Sequence, residues 1–250
     1  MIPDPFRYVK DLRWFFFQTL TGYVPSKLQE QPFELRKPLE QRKNKIGYRG
    51  RPLSFWYGNL GQEKIQIGKV MKEICEERNI KTDIEWEEDK RIYGPAWYEF
   101  LENCVATLGT ESGSNVFDFD GKIQLNIKSE LAKNPDISYK EIFDIYLKDH
   151  EGSVLMNQIS PKVFESIVLG TALILYEGEY SGIIQPDVHY IPLKKDLSNI
   201  EEVLSKLNDL EYLNKITRKA YEDIIQSGKY SYRSFINSFD ELVSKRKKYR

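Results

Sequence analysis

The sequence predicts an α/β domain built around a parallel β-sheet. Short apolar segments alternate with amphipathic helical segments along most of the chain, as they do in βαβ units. Residues 171–176 (TALILY) form a continuous apolar run, which is typical of a strand buried on both faces. The chain has 250 residues and is 40% hydrophobic, which is enough to bury a core without disulfides or a structural metal.

The first half of the sheet is predicted between residues 45 and 109. Strand candidates cover residues 45–49, 82–86 and 105–108. Residues 62–79 between the first two are predicted to be helical, because apolar side chains recur there at helical spacing: Ile67, Val70, Met71, Ile74 and Cys75. A second amphipathic helix precedes the third strand and is marked by Trp97, Phe100, Leu101 and Cys104.

The second half begins with a loop over residues 110–121. Two helices follow, near 123–133 and 138–148, with Ser138 as N-cap of the second. Residues 154–156 are apolar, and we interpret them as a short strand with Glu151 at the end away from any ligand. A helix then runs from Ser160-Pro161 to Gly170. Residues 171–176 and 189–193 are the last strands, and a helical C-terminal tail reaches about Ser244.

The domain organisation follows from composition. Residues 1–44 are interrupted by prolines and are polar over 29–44, so we interpret them as an N-terminal linker or strap, or as the remnant of a first domain. Residues 45–250 form the domain itself, a single Rossmann-like unit with a helical tail. The aromatic run at 14–17 is too short for a signal peptide.

Charge and composition exclude several classes of protein. The 37 basic and 38 acidic residues give a net charge of −1, which argues against a general nucleic-acid binder. With 2 cysteines and 2 histidines at unsuitable spacings, neither a zinc site nor a disulfide framework is predicted. The sequence contains no run of 18 apolar residues, so no transmembrane segment is predicted. These points favour the cytoplasm, with a peripheral position at the inner membrane face as an alternative.

The segment 157–171 is the most informative for chemistry. A polar loop (Asn157, Gln158, Ser160) enters a helix whose first backbone N–H groups can meet an anion. Lys162 lies in the first turn, and Glu165 lies one turn further and leans back toward the loop, where it could bind a sugar hydroxyl. The alternative is structural: Asn157 or Ser160 caps the helix, and Glu165 complements its dipole.

Other loops at the carboxyl ends of predicted strands are candidate ligand contacts, because ligands of parallel sheets bind there. Arg49 and Arg51 flank Gly50 after the first strand and could hold phosphate oxygens, or they could be an exposed pair beside a turn. Glu111, Ser112 and Gly113 follow the third strand, and Glu111 suits a sugar hydroxyl better than an anion. A further candidate segment follows the TALILY strand and consists of Glu179, Tyr180, Ser181 and Gly182. The alternative interpretation is that these residues form a surface turn.

Several motifs together resemble the C-terminal, donor-binding half of GT-B glycosyltransferases, and more narrowly the group-1-like bacterial enzymes related to CgeB proteins. The resemblance rests on residues 164–175 (FESIVLGTALIL), 177–182 (EGEYSG) and 189–193 (HYIPL), and upstream on 47–51, 56–58, 91–94 and 108–113. It covers about 45–240. It implies that Glu165, Lys162 and Arg51 act on a nucleotide-diphosphate sugar, which the other loop residues bind.

The resemblance also implies a function: transfer of a sugar to a sugar or lipid-linked acceptor in surface polysaccharide or glycoconjugate synthesis, without a metal or cofactor. Two departures matter. Related enzymes carry glutamates eight positions apart, whereas Asn157 stands at the first of these positions. A complete GT-B enzyme has two Rossmann-like domains, so the first is expected from a partner domain or a homo-oligomer.

Two competing interpretations remain. The chain could be a non-catalytic nucleotide-sugar-binding or assembly module, or a Rossmann oxidoreductase or methyltransferase, although no GxGxxG follows the first strand. Asp118 and Asp120 form a DxD pattern that could bind a metal, but we interpret them as loop residues. We expect His189 to pack beside the last strand rather than act as a base.

Overall fold

The computed structural model describes residues 19–30 and 32–247, and over this part of the chain it confirms the predicted α/β fold. Five strands form one all-parallel sheet: β1 (Asn44–Arg49), β2 (Thr82–Glu85), β3 (Cys104–Gly109), β4 (Ala172–Tyr176) and β5 (Ile191–Leu193). Their order across the sheet is β2-β1-β3-β4-β5. The aromatic run at 14–17 lies outside the described residues.

The helices account for most of the remaining chain. They are α1 (Ser26–Gln29), α2 (Gly58–Glu77), α3 (Pro95–Glu102), α4 (Lys122–Lys133), α5 (Tyr139–Ile142), α6 (Pro161–Val168), α7 (Ile200–Asn208), α8 (Leu210–Ala220) and α9 (Tyr232–Lys247). Single π-helical segments, Phe143–Leu147 and Tyr221–Gln226, extend α5 and α8. Ser138 caps α5 in a capping box with Glu141, as its sequence position predicts.

One predicted strand is absent from the structure. Residues 154–156 form no strand, because three apolar residues that pair with none of the five strands cannot satisfy their backbone groups in a sheet. The predicted helical tail is confirmed, and its described part consists of α7, α8 and α9. Asp209 caps α8, and Gly228, at φ 67°, precedes α9 with a backbone conformation that ends a helix.

The sheet separates two apolar cores. Alternate residues of β4 face opposite sides, as the period of a strand requires: Ala172, Ile174 and Tyr176 pack into one core, and Leu173 and Leu175 into the other. The first core is covered by α2, α7 and α8, and the second by α6 and residues 220–225. A third, smaller cluster joins α4 and α5 to the aromatic turn Phe55–Tyr57.

The described part of the predicted strap packs on the domain. Buried Arg42 donates to the carbonyl oxygens of Cys104 (3.0 Å) and Leu169 (2.9 Å) and to the Thr171 hydroxyl (2.8 Å). Burial lowers the pKa of Arg42 to about 10. Residues 32–42 therefore tie the end of α6 to the starts of β3 and β4.

Gly47 in the middle of β1 leaves no room for a side chain. A Cβ there would overlap Cys104 Sγ and lie 2.9 Å from Phe100 Cζ. We expect Gly47→Ala to lower the free energy of unfolding by about 1–3 kcal/mol, measured by urea denaturation. The cost should shrink in a Cys104→Ala background, where the sulfur is gone. An equal cost in both backgrounds would contradict a clash at this point.

Candidate functional site

The strand order places a crevice between β1 and β3. The chain leaves these neighbouring strands into α2 on one side and into the long 110–160 segment on the other, which makes this the topological switch point of the sheet. Ligands of open parallel sheets bind at such points, beyond the carboxyl ends of the strands. The loops at this edge hold most of the predicted site residues.

Two lysines lie near each other at the switch point. Lys64, in the second turn of α2, donates from Nζ to Ser112 Oγ (2.9 Å), and the Lys162 ammonium lies 4.1 Å from the centroid of the Tyr48 ring. Neither lysine forms an ion pair with any residue in the described part of the chain. Two half-buried cations without a carboxylate partner are a strong site for an anion.

The electrostatics of the pair follow from burial. Burial, with a smaller contribution from the charge of Lys64, lowers the pKa of Lys162 to about 7, while Glu165 opposes the shift. Burial, with a smaller contribution from Arg51, also lowers the pKa of Lys64. The site is therefore short of negative charge, which a phosphate group would supply.

The start of α6 adds one backbone donor to this site. Ser160 stands at the N-cap but its side chain makes no capping hydrogen bond, so the alternative in which its hydroxyl caps the helix is wrong. Pro161 has no N–H and the Val163 amide donates to the Ser160 carbonyl oxygen (3.0 Å), so among the first three residues of α6 the Lys162 amide is the one left for a ligand. Helix N-termini of this kind bind phosphate groups.

The two predicted arginines have different surroundings. Arg51 is exposed and lies near Lys64. The Arg49 guanidinium is bound within the protein: it pairs with Asp83 (2.8 Å), donates to the backbone oxygens of Tyr48, Asp83 and Lys90, and covers the Phe100 ring. Arg51 is therefore the arginine with a side chain open to a phosphate.

An open cavity of about 460 Å³ adjoins Lys162, and its lining includes Gly50, Arg51, Arg91, Tyr93, Trp97 and Glu165. In it, the Trp97 indole Nε1 donates to Glu165 Oε2 (2.8 Å). An aromatic, partly basic cavity with an oriented carboxylate suits a nucleoside, whose base can stack and whose ribose hydroxyls can donate. A larger cavity of about 740 Å³ lies between α1 and α9, away from the strand ends, and is lined mainly by serines and other polar residues.

Glu111 is buried and its oxygens face the protein. Oε2 accepts from Asn157 Nδ2 (2.6 Å), and Oε1 accepts from the backbone amides of Glu179 (3.0 Å) and Tyr180 (2.8 Å). The structure thus brings together three predicted loops. However, the amides of residues 179–180 hold a carboxylate of the same chain, and Glu111 does not face the cavity.

Neighbouring predicted residues support this arrangement. Gly113, at φ 126°, lies against Met156, where a Cβ would overlap the backbone. The backbone groups of Ser112 and Gln158 pair with each other, and Ser181 Oγ accepts from the Ile159 amide (3.2 Å). Gly182 follows with φ 69°. These residues shape the wall of the crevice through their backbones.

Glu151 is not where the sequence predicts it. Its carboxylate accepts from the amide of Asn59, at the start of α2, and therefore lies at the ligand side of the sheet. The prediction was wrong because residues 154–156 form a loop that turns back, not a strand that carries the chain away. Burial raises the pKa of Glu151, and also that of nearby Glu63, which pairs with Lys195 (2.5 Å).

The remaining candidates have structural roles. Asp118 accepts from the amides of Ile123 and Gln124 at the start of α4, and Asp120 pairs with Lys122. Within the described ranges no cluster of three or more potential metal ligands is found. His189 is buried; its ring accepts from the Gln185 amide and contacts Asp223 (3.0 Å).

Sequence reasoning missed Lys64 and Trp97. Lys64 falls on the buried stripe of α2, in line with Leu60, Ile67 and Met71, and a lysine on an apolar stripe was the available signal. Trp97 was interpreted as a core residue, but its indole N–H makes it a hydrogen-bond donor.

Comparison with known proteins shows a likeness at the level of structure. No family model matches the sequence, and no curated protein matches it. Among solved structures the chain is similar to the crystal structure of TarM, with a TM-score of 0.44 and 13% identity. The likeness covers 90% of this chain and 37% of the TarM chain. Separately, none of the helices in the described part of the chain has the length and apolar character needed to cross a membrane.

Proposed function

We propose that this chain binds a nucleotide-diphosphate sugar at the switch point and acts as the donor-binding unit of a glycosyltransferase. The observation that supports the proposal is the pair of lysines without a carboxylate partner in the described part of the chain, Lys64 in α2 and Lys162 at the start of α6. The narrower relation to CgeB-like enzymes, and a role in polysaccharide synthesis, rest on the sequence motifs alone.

Each part of the proposed ligand can be matched to a part of the site. The diphosphate would lie between the Lys64 side chain and the side chain and backbone amide of Lys162, within reach of Arg51. The nucleoside would occupy the cavity beside Trp97, with its ribose on Glu165. The sugar would extend toward the wall formed by residues 111–113, 157–158 and 179–182.

Transfer in this site would rely on charge stabilisation. The bond from the anomeric carbon to the diphosphate oxygen breaks, an acceptor hydroxyl forms the new bond and loses its proton to a base, and negative charge grows on the departing diphosphate. Lys64, Lys162 and the Lys162 amide are fixed donors beside that position, and donors held in place before the reaction stabilise such charge at little reorganisation cost. The acceptor and its base would come from a partner domain or subunit.

Calorimetry with UDP, GDP and ADP tests the proposal directly. We expect one of them to bind with micromolar to millimolar affinity, unchanged by EDTA, because protein cations supply the positive charge. No binding of any nucleotide at millimolar concentration would overturn the donor site. Loss of binding on adding EDTA would instead place a metal in it.

Glu165 and Glu151 form a matched pair of carboxylates for assigning the nucleoside. We expect Glu165→Gln to weaken nucleotide binding about tenfold, because ribose hydroxyls lose a charged acceptor, and Glu151→Gln to leave it within about twofold. The corresponding 2′,3′-dideoxynucleotide should bind both variants equally. A larger effect of Glu151 would move the ribose to the start of α2.

A further inference from the structure

The contact between Glu111 and Asn157 determines how the Asn157 amide is oriented. A carboxylate only accepts hydrogen bonds, so Asn157 must present its NH₂ group to Glu111, at 2.6 Å. The amide oxygen Oδ1 then points away from Glu111. Asn157 is half-buried, whereas Glu111 is only 6% exposed, so the amide is the member of the pair that a ligand can reach.

The wall around this pair is rigid. Glu111 also holds the amides of Glu179 and Tyr180, and Gly178 packs so closely on it that a Cβ would lie 2.7 Å from the carboxyl carbon. Tyr180 and Ser181 adopt left-handed backbone conformations, with φ 46° and 58°. Such conformations are strained in residues other than glycine and persist only where surrounding contacts impose them.

The pair lies next to the cations. Ser112, the residue after Glu111, receives the hydrogen bond from Lys64. A diphosphate on Lys64 and Lys162 would thus place its attached group beside this wall. The successive amides of residues 179 and 180 could otherwise hold an anion, but Glu111 already occupies them. The group that meets the wall is therefore a neutral, hydroxyl-bearing one.

We propose that Glu111 is a positioning residue that turns the Asn157 amide so that its oxygen accepts a hydrogen bond from a hydroxyl of the donor sugar. The proposal rests on the proposed function. It assigns Glu111 no contact with the ligand. The hydrogen bond to the sugar depends on Glu111 being a hydrogen-bond acceptor, because only an acceptor at this position turns the amide oxygen away from it.

Exchanging the two functional groups tests the proposal. In Glu111→Gln the new side chain keeps an oxygen for the two amides and gains an NH₂ group toward residue 157, so Asn157 turns over and presents its own NH₂ group to the sugar. In the double variant Glu111→Gln/Asn157→Asp, the carboxylate introduced at position 157 accepts from the amide introduced at position 111 and again faces the sugar with an oxygen. All three hydrogen bonds of the wall survive in both variants.

The measurement compares the nucleoside diphosphate with its sugar conjugates, UDP with UDP-glucose and UDP-N-acetylglucosamine, and GDP with GDP-mannose. We expect Glu111→Gln to bind the nucleotide like the unchanged chain but to lose about tenfold in affinity for the sugar conjugate, and the double variant to recover it. Amide exchange at residues 179–180 should stay slow in both, which shows that the wall is intact.

Equal losses for nucleotide and sugar conjugate, or no loss for either, would overturn the proposal. Failure of the double variant to recover affinity while residues 179–180 remain protected would also overturn it. Failure of the proposed function would be recognised separately, because the unchanged chain would then bind no nucleotide at all.

Discussion

Replacing both Lys64 and Lys162 by methionine is expected to lower the affinity for the bound nucleoside diphosphate by at least about a hundredfold. Each lysine would make a charged hydrogen bond to the phosphates, and such bonds contribute ~1.5–3 kcal/mol, or roughly ten- to hundredfold each. Because Lys64 lowers the pKa of Lys162, removal of Lys64 alone makes Lys162 easier to charge, so the loss in the double variant should exceed the sum of the two single losses. Calorimetry on the single and double variants measures the contribution of each lysine and the coupling between them.

The stability of the same variants should change in the opposite direction. Burial opposes the charge of both lysines, so methionine, which fills a similar space without charge, should leave the ligand-free melting temperature equal or higher. Lys69→Met is the matched control, because Lys69 is exposed on the same helix and its ammonium faces Trp86. Unchanged nucleotide affinity in the double variant would remove the cation pair from the ligand site.

The fold could be predicted from the sequence because its signals are local. The apolar stripe of α2, the apolar run of β4 and the capping residue Ser138 are each recognisable from a few neighbouring residues. The prediction was wrong where the outcome depends on distant partners. Residues 154–156 are apolar enough for a strand, but no neighbouring strand in the described part of the chain is available to pair with them.

The candidate site was only partly predictable, for a related reason. Spacing along the chain places Lys162 and Glu165 on one turn of α6, so both were found. Spacing along the chain cannot reveal that Lys64 reaches Ser112 from another helix, or that the Glu111 carboxylate accepts hydrogen bonds from the amides of residues 179–180. The same limit applies to the two arginines: Arg49 is held by Asp83 of the adjacent strand and by the Lys90 carbonyl, partners that are distant in the sequence.

A second large effect is expected from pH: nucleotide affinity should fall as pH rises from 7 to 9, while the ligand-free protein becomes more stable. In the free protein the pKa of Lys162 is about 7, well below its ordinary value, because burial and Lys64 disfavour the charge and Glu165 only partly offsets them. A bound diphosphate favours the charged form and raises that pKa again. Binding above pH 7 therefore takes up a proton.

The directions of the two pH effects, on stability and on affinity, follow from proton linkage. Between pH 7 and about 10 the unfolded chain carries the Lys162 proton and the free folded protein does not, so the free energy of unfolding rises with pH. The complex instead needs that proton, so each pH unit above 7 should cost up to about tenfold in affinity. The ligand does not account for this trend, since its terminal phosphate, with a pKa near ~6, gains negative charge over the same interval.

Calorimetry in two buffers of different ionisation enthalpy separates this mechanism from a general electrostatic effect. The unchanged chain should take up close to one proton per nucleotide at pH 8. Lys162→Met should take up markedly fewer, and its affinity should be weaker but should depend less on pH.

The groups that act on Lys162 are Lys64, Glu165 and the ring of Tyr48. Burial raises the pKa of Tyr48, so its hydroxyl stays neutral over this pH range. Lys64 is thus the residue that could account for any remaining uptake, and the Lys64→Met/Lys162→Met double variant should show none. Full proton uptake by Lys162→Met would assign the titrating group elsewhere and leave Lys162 without a part in binding the diphosphate.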